Sequence, residues 1–338
     1  MKTSLRKFLT AAGFSLLAAG ISTPASAQEV WKLGTAAMQG TVLYDIVMKF
    51  INDFNAAAGG ELKLEYQHVG NEQEMHQQVV RGRLQAGASS FAGGAITVPE
   101  GAVFNAPYIW KNDEERAWVT DNHGTPVMKK LYAEKGLELI YVADVGWNDM
   151  VCKTACLTPE SIKGQKMRVS PSPASRIVFK QLGANGVQMP LTELWPGLQS
   201  GLVVGADLPF LFYVTTPAAQ SAPHYVMTRH YHHPSTFIVN KALFDGLKPA
   251  LREKMLKALP DLAWARKQVA DTEKPKMKEF VAKGGFVHEL TAEQREAWAK
   301  VIRPGQAELV GAIGGKAQTV YDALMEGKKV WAAKYEKK

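Results

Sequence analysis

Apolar and polar positions alternate with two different periods in the first part of the chain. Between residues 42 and 58 the apolar side chains recur every three or four residues and stop at a glycine pair, which predicts an amphipathic helix. Residues 30–36 and 61–68 instead alternate with a period of two, which predicts strands. A second helix over 71–87 and a short buried strand within 87–94 complete the order strand, helix, strand, helix, strand. This order predicts a parallel α/β sheet.

The pattern recurs in the middle of the chain. Strands are predicted at 137–144, 165–170, 202–210 and 235–240, with helices at 172–183 and 192–201 between them. The last hundred residues are mostly helical, and Thr291 with Gln294 forms a capping-box pattern. Because no flexible linker separates the two α/β units, we expect the chain to cross between two lobes that hinge around a cleft.

The N-terminal residues have the pattern of a secretory signal peptide. Lys2, Arg6 and Lys7 precede an apolar run, and Ala25–Ala27 matches a small-residue cleavage site. Removing residues 1–27 leaves 311 of 338 residues and lowers the formal net charge from +8 to +5, because three cations and no acids are lost. We therefore expect an exported protein in the periplasm. The remaining cations form no stripe interleaved with aromatic residues, so nucleic acid is not an expected partner.

The chain has two cysteines, Cys152 and Cys156. An even pair in an exported protein predicts a disulfide, and residues 150–157 have the pattern of two strand ends around a turn. The alternative, a metal site, would need further ligands, and none lies nearby in the sequence.

The usual signatures of enzymes are absent, and the sequence predicts neither a metal nor a cofactor. Residues 310–317 depart from a phosphate-binding loop at two essential positions. Four histidines stand close together at positions 224, 230, 232 and 233. Adjacent strand residues point to opposite faces, so His232 and His233 are poorly placed to share one ion. We interpret the cluster as polar surface or cleft lining.

The stretch from 161 to 209 resembles a known family. Its features are "KGQKMRV", "LGANGVQMP", a glutamate with an aromatic residue, "LQSG" and a glycine followed by a proline. In this order they resemble the solute-binding proteins of tripartite ATP-independent periplasmic (TRAP) transporters, the DctP-like family 7. The resemblance implies an α/β periplasmic-binding-protein fold with two lobes, a ligand cleft and a long helix crossing both lobes. It also implies a monomer that captures a small organic acid and delivers it to a membrane permease.

On this resemblance we expect lobe I to comprise residues 28–145 and about 234–273. Lobe II would comprise residues 146–233 and about 274–338. An enzyme, or a partner of a periplasmic sensor, on the same scaffold stays an alternative, because fold alone does not fix function.

Arg168 matches the family arginine that binds the ligand carboxylate. It ends a predicted strand, and Pro171 and Pro173 stiffen the turn that follows. A guanidinium offers two parallel donors that match a carboxylate. The alternative is an arginine paired with a structural acid.

Other site residues follow from the resemblance position by position. Leu208 stands where the family usually has an asparagine, Asn148 where it often has an arginine, and Asp207 where a glutamate is common. The further expected contacts are Trp147, Leu191, Ser90, Glu72 and Tyr44. Trp147 and Tyr44 could equally be core aromatic residues. These departures predict a monocarboxylate with an apolar or aromatic body, since the second charge of a dicarboxylate would face Leu208 and Asp207.

Overall fold

The computed structural model describes residues 28–336 of the chain. The predicted signal peptide, residues 1–27, lies outside the described residues. Among residues 28–336 no helix combines the length and the apolar character that crossing a membrane requires.

The first part of the chain alternates strands and helices as its sequence pattern predicts. Its elements are β1 (Glu29–Thr35), α1 (Val42–Ala58), β2 (Leu62–His68), α2 (Glu72–Val80), β3 (Ala86–Ser90), α3 (Phe91–Gly94), α4 (Asp113–Val119) and α5 (Thr125–Glu134). A 3₁₀ helix, Pro99–Asn105, precedes α4, and a π-helical turn, Thr120–Gly124, joins α4 to α5. The Thr41 side chain caps α1, and Gly59 ends it in the left-handed conformation.

The second part repeats the alternation and ends in helices. Its elements are β4 (Leu137–Cys152), β5 (Lys166–Val169), α6 (Pro173–Gln181), β6 (Asn185–Gln188), α7 (Leu191–Ser200), β7 (Gly205–Pro209), α8 (Phe210–Val214), α9 (Ala218–Ser221), β8 (His224–Asn240), α10 (Lys241–Gly246), α11 (Pro249–Lys257), α12 (Leu262–Ala282), β9 (Phe286–Glu289), α13 (Ala292–Ile302), α14 (Gly305–Ile313) and α15 (Ala317–Tyr335). The predicted capping box of Thr291 and Gln294 opens α13.

One mixed sheet runs through the molecule in the order β2-β1-β3-β8-β4-β7-β5-β6, and β9 pairs with β8. The outer strands on each side are parallel, as the sequence pattern predicts. The central pairs β3–β8, β8–β4 and β4–β7 are antiparallel. The parallel sheet predicted from the first five elements is therefore confirmed for β1, β2 and β3, and the antiparallel pairs lie at the centre, where the sequence pattern made no prediction.

Strands β4 and β8 are both much longer than predicted. They have 16 and 17 residues, and the two pair along most of their length. Their pairing shifts register between Asp144 and Trp147 and again between Asn148 and Met150. Gly146 lies inside the first of these bulges with a φ of 123°. The bulges break the period-two pattern. The sequence therefore indicated only residues 137–144 of β4 and residues 235–240 of β8.

Helix α12 connects the two sides of the sheet. Near its start, Arg266 bonds Asp121 of the π-helical turn and Asp144 of β4. Near its end, Phe280 packs edge-on against Phe210 and Tyr213. This is the long crossing helix that the resemblance implies, and Pro275 lies within it.

Cys152 and Cys156 form the predicted disulfide. Cys152 ends β4, but Cys156 lies in an irregular segment rather than in a second strand. The predicted hairpin geometry is thus wrong, while the pairing is confirmed.

Candidate functional site

Arg168 is buried in β5, with 3% of its surface exposed. Its Nε donates to the Met189 carbonyl oxygen at 3.1 Å, which fixes the guanidinium plane. Within residues 28–336 its two terminal nitrogens bond no protein acceptor, and no carboxylate forms an ion pair with them. Burial lowers the pKa of Arg168, and the nearby Asp207 and Tyr231 counteract that effect. The Arg168 guanidinium is therefore fixed in orientation, and its two terminal nitrogens are left to donate to a ligand.

Asp207 lies on β7, the strand that pairs with β5, and the protein itself satisfies its carboxylate. Oδ1 accepts from the Ser175 hydroxyl at 2.9 Å. Oδ2 accepts from the Tyr231 hydroxyl and from Asn148 Nδ2 at 3.3 Å, with His230 Nε2 at 3.5 Å. Burial would raise the pKa of Asp207, but His230, Tyr231 and Arg168 together lower it to about 2. Asp207 is therefore ionised at neutral pH.

Asn148 joins the same cluster from β4. Its Nδ2 donates to Asp207 and also to the Tyr231 oxygen at 2.9 Å. Its Oδ1 is buried and has no hydrogen-bond partner in the described chain. Asn148 therefore has both donor hydrogens occupied and its acceptor unused.

The predicted apolar contacts are Trp147, Leu191 and Leu208, and all three are at least partly buried. Trp147 is partly buried, donates from Nε1 to Asp113 at 3.1 Å and meets the His232 ring edge-on at 5.4 Å. Leu208 is buried in the apolar core, and Leu191, the first residue of α7, is partly buried against that core.

The predicted site residues from the first part of the chain form two separate groups. Glu72 opens α2, and its two oxygens accept from the Ser90 amide at 3.0 Å and the Ser90 hydroxyl at 2.6 Å. The Ser90 hydroxyl in turn caps α3. Tyr44 packs edge-on against Tyr66 at 5.2 Å, the contact of a core aromatic residue. The structure thus brings Glu72 and Ser90 together but shows no contact between Tyr44 and either of them.

His233 is partly buried on β8, and its Nδ1 is buried without a hydrogen-bond partner in residues 28–336. Burial lowers the pKa of His233, and the charges of Glu72 and Asp207 oppose that effect.

The sequence did not predict the burial of two other histidines. His230 and His232 are almost fully buried, and each faces a carboxylate, Asp207 and Asp144 respectively. The expectation of polar surface is therefore wrong for both, because the acids that satisfy them are distant in sequence. Ser175 and Tyr231 were missed for the same reason. Within the described part of the chain, no group of three or more His, Cys, Asp or Glu side chains could hold a metal ion.

Comparison with known proteins gives consistent matches over most of the chain. A family model described as "Bacterial extracellular solute-binding protein, family 7" matches residues 33–310. The C4-dicarboxylate-binding periplasmic protein DctP of Rhodobacter capsulatus is 31% identical over 239 residues, 70% of this chain and 72% of the relative. The ectoine/5-hydroxyectoine-binding periplasmic protein UehA of Ruegeria pomeroyi is 26% identical, covering 92% of this chain and 93% of the relative.

Solved structures match the fold. A TRAP periplasmic solute-binding protein from Roseobacter denitrificans with bound β-D-glucuronate has a TM-score of 0.81 at 21% identity, over 88% of this chain and 99% of that chain. The sugar acid binding protein DctPAm from Advenella mimigardefordensis, in complex with galactonate, has a TM-score of 0.81 at 23% identity, over 88% and 98%.

Proposed function

The chain belongs to bacterial extracellular solute-binding protein family 7, and we propose that it captures a monocarboxylate with an apolar or aromatic body and delivers it to a membrane permease. Members of this family are substrate-binding components of transporters and not enzymes, and TRAP solute-binding proteins act in the periplasm on small organic ligands.

The observation that carries the proposal is the state of Arg168. Arg168 is buried and forms no direct ion pair with a carboxylate of the described residues, so its terminal N–H groups stay available to the carboxylate of a ligand. Two parallel N–H donors of a guanidinium held by Met189 match the two oxygens of a carboxylate. Arg168 is thus the proposed ligand anchor.

The charge of Asp207 supports a single carboxylate. With a pKa of about 2 it is ionised at neutral pH, and its oxygens are already used by protein donors. A second ligand carboxylate near Asp207 would meet a like charge and no spare donor. Trp147, Leu191 and Leu208 are the proposed apolar contacts of the ligand body, and Glu72, Ser90 and Tyr44 are proposed contacts from the first lobe.

The ligands named for relatives share a carboxyl group and differ in the rest of the molecule. They include C4-dicarboxylates, ectoine, glucuronate and galactonate. We also propose that the two lobes have the boundaries given above. We propose further that residues 1–27 direct export of the chain.

The test is calorimetric titration of the protein, refolded to remove co-purified ligand, with monocarboxylates, matched dicarboxylates and the matching neutral amides. We expect a monocarboxylate to bind, its amide to fail, and Arg168→Gln to weaken binding at least ~100-fold, the loss expected for a charge-assisted bidentate pair. Arg176→Gln is the matched control, because Arg176 is exposed on α6. Tight binding of a dicarboxylate without binding of its monocarboxylate counterpart would overturn the ligand class.

A further inference from the structure

The Arg168 side chain points to the face of the sheet that α7 covers. In the parallel pair of β5 and β6, Arg168 lies opposite Val187, so the two side chains share a face. Val187 packs against the apolar cluster that contains Leu194 and Leu198 of α7. Met167, which precedes Arg168 in β5, belongs to the apolar cluster on the other face. Helix α7 and the Arg168 guanidinium therefore lie on the same side of the sheet.

A hydrogen bond holds the guanidinium at the start of this helix. Arg168 Nε donates to the Met189 carbonyl oxygen at 3.1 Å. Met189 follows β6, and only Pro190 separates it from Leu191, the first residue of α7. In α/β sheets the carboxyl ends of parallel strands and the N-termini of the helices that follow them meet at one edge, where ligands bind. The terminal nitrogens of Arg168, which bond no acceptor within residues 28–336, are thus held beside the N-terminus of α7.

The first turn of α7 has main-chain donors without acceptors. Pro190 is its N-cap residue, and no side chain caps the helix. In the part of the chain that the structure describes, the N–H groups of Leu191 and Thr192 donate to no acceptor, whereas the N–H of Glu193 donates to the Pro190 oxygen at 3.2 Å. The Glu193 side chain is exposed and does not fill this position. Two N–H groups therefore carry the partial positive charge of the helix N-terminus.

From this arrangement we propose that the carboxylate bound by Arg168 also accepts hydrogen bonds from the main-chain N–H groups of Leu191 and Thr192. The inference rests on the proposed function and deepens it, because it adds the main-chain half of the carboxylate site. An ionised carboxylate has about four acceptor positions, of which a bidentate guanidinium uses two. The two N–H groups of α7 match the other two, and a helix N-terminus favours an anion.

Leu191→Pro removes one of these N–H groups while keeping the helix. Proline is well tolerated at the first helical position, where its missing N–H takes no part in the helix. The residue before it, Pro190, has a φ of −62° and a ψ of 162°, close to the conformation that a residue before proline prefers. Leu191→Ala also loses the leucine side chain but keeps the N–H. A comparison of the two variants therefore isolates the hydrogen bond.

The test is calorimetric titration with 3-phenylpropionate, 4-methylpentanoate and benzoate. For the acid that binds the wild type most tightly, we expect Leu191→Pro to bind at least ~10-fold more weakly than Leu191→Ala, because a hydrogen bond to a charged group is lost. Ala292→Pro is the matched control. Ala292 is the exposed first residue of α13 and follows Thr291, whose φ of −63° and ψ of 167° resemble those of Pro190. This variant should bind as the wild type does.

Hydrogen exchange in the wild type gives a second measurement that needs no folded variant. With the same acid at saturation, the amide hydrogens of Leu191 and Thr192 should exchange at least ~10-fold more slowly, as followed by NMR. The Ala292 amide should exchange at an unchanged rate. Thermal melts establish that each titrated variant is folded.

The outcomes separate this inference from the proposed function. If Leu191→Pro and Leu191→Ala bind the acid equally, or if exchange at Leu191 and Thr192 is unchanged, the inference is wrong and carboxylate capture by Arg168 stands. An equal loss of binding in Ala292→Pro would make the effect a general one of proline and would also overturn it. If none of the three acids binds the wild type, the proposed ligand class fails and the inference fails with it.

Discussion

Glu273 is a partly buried carboxylate on α12 that has no hydrogen-bond partner among residues 28–336. Burial and the charge of Asp149 raise its pKa to about 7, against the opposing charge of Arg229. Asp149 is itself held by the Tyr225 hydroxyl at 2.7 Å and by the Arg229 amide. Glu273 therefore titrates near neutral pH, because burial and a second acid both oppose its ionisation.

This carboxylate predicts a pH-dependent stability. Because the folded-state pKa of Glu273 lies above the unfolded value of about 4.3, its stabilising contribution is full below pH ~4 and is lost as pH rises to ~7. As the pH rises from 4.5 to 8, we expect the ionisation of Glu273 to lower the free energy of unfolding by about 1–2 kcal/mol. This figure already allows for the partial exposure of the side chain. Urea unfolding of wild type and Glu273→Gln at both pH values measures it.

In Glu273→Gln the difference between the two pH values should shrink by that amount. Glu114→Gln, at an exposed position of α4, serves as the control and should retain the wild-type difference. An equal pH dependence in wild type and Glu273→Gln would mean that Glu273 is solvated in the folded protein.

At the scale of single residues, the sequence predicts which residue ends a strand. It does not predict which side chains from distant parts of the chain will form hydrogen bonds with each other. Arg168 was predicted because a cation ends a strand before two prolines in a family-like stretch. The cluster around Asp207 was not, since Ser175 and Tyr231 lie 32 and 24 residues away and Asn148 lies 59 residues away. A local pattern of apolar and polar residues predicts helices and strands, but it does not predict hydrogen bonds between residues so far apart.

At the scale of elements, the bulge in β4 is the feature that changes the fold from its expected form. The sequence indicated a strand that ends at Asp144, because Gly146 and polar residues interrupt the alternation. The structure instead continues the strand through Gly146 to Cys152. Likewise β8 continues through four histidines, since Asp207 and Asp144 satisfy two of them inside the protein. Buried acids made a polar segment compatible with a central strand.

Gly146 should be necessary for this continuity. A side chain at its φ of 123° is strained, although the atom nearest to an added methyl group, Pro209 Cβ, leaves room at 3.9 Å. Gly146→Ala is therefore expected to lower the free energy of unfolding by about 1–3 kcal/mol through the backbone alone. Urea unfolding at neutral pH measures the change.

The matched control is Gly311→Ala in helix α14. No atom lies within 4 Å of the added methyl, and the position has no positive φ. Alanine there should stabilise the protein by about 0.5–1 kcal/mol. If both glycines respond alike, the bulge relaxes without cost and Gly146 is not required for it.

At the scale of the whole molecule, a buried ion network ties the crossing helix to the sheet. Arg266 bonds Asp121 with both terminal nitrogens, at 2.9 and 2.7 Å, and Asp144 with Nε at 2.9 Å. Asp144 also pairs with Arg116 of α4 at 2.7 Å. Burial would raise the pKa of Asp144, and the charges of Arg116, His232 and Arg266 lower it well below its usual range. Three segments distant in sequence, α4, β8 and α12, thus converge on one carboxylate of β4.

Removing the Arg266 side chain should destabilise the folded protein. In Arg266→Ala the buried Asp144 keeps one arginine instead of two, and Asp121 loses its partner, so we expect a loss of about 3 kcal/mol in the free energy of unfolding. Arg303→Ala breaks an exposed ion pair with Glu296 and should cost less than ~0.5 kcal/mol. Similar losses for both variants in urea unfolding would show that the network adds nothing beyond a surface pair.

The position of β8 in the chain has a consequence for the order in which the protein can fold. Its residues 224–240 lie between β3 and β4 in the sheet, and they come after about two-thirds of the chain. Until they are available, β3 has a neighbour on only one side, and the two halves of the sheet share no strand with each other. Pairing across such sequence separations is slow because loop closure precedes any gain in contacts. A growing chain of this sequence therefore stays without its central strand pair for most of its synthesis.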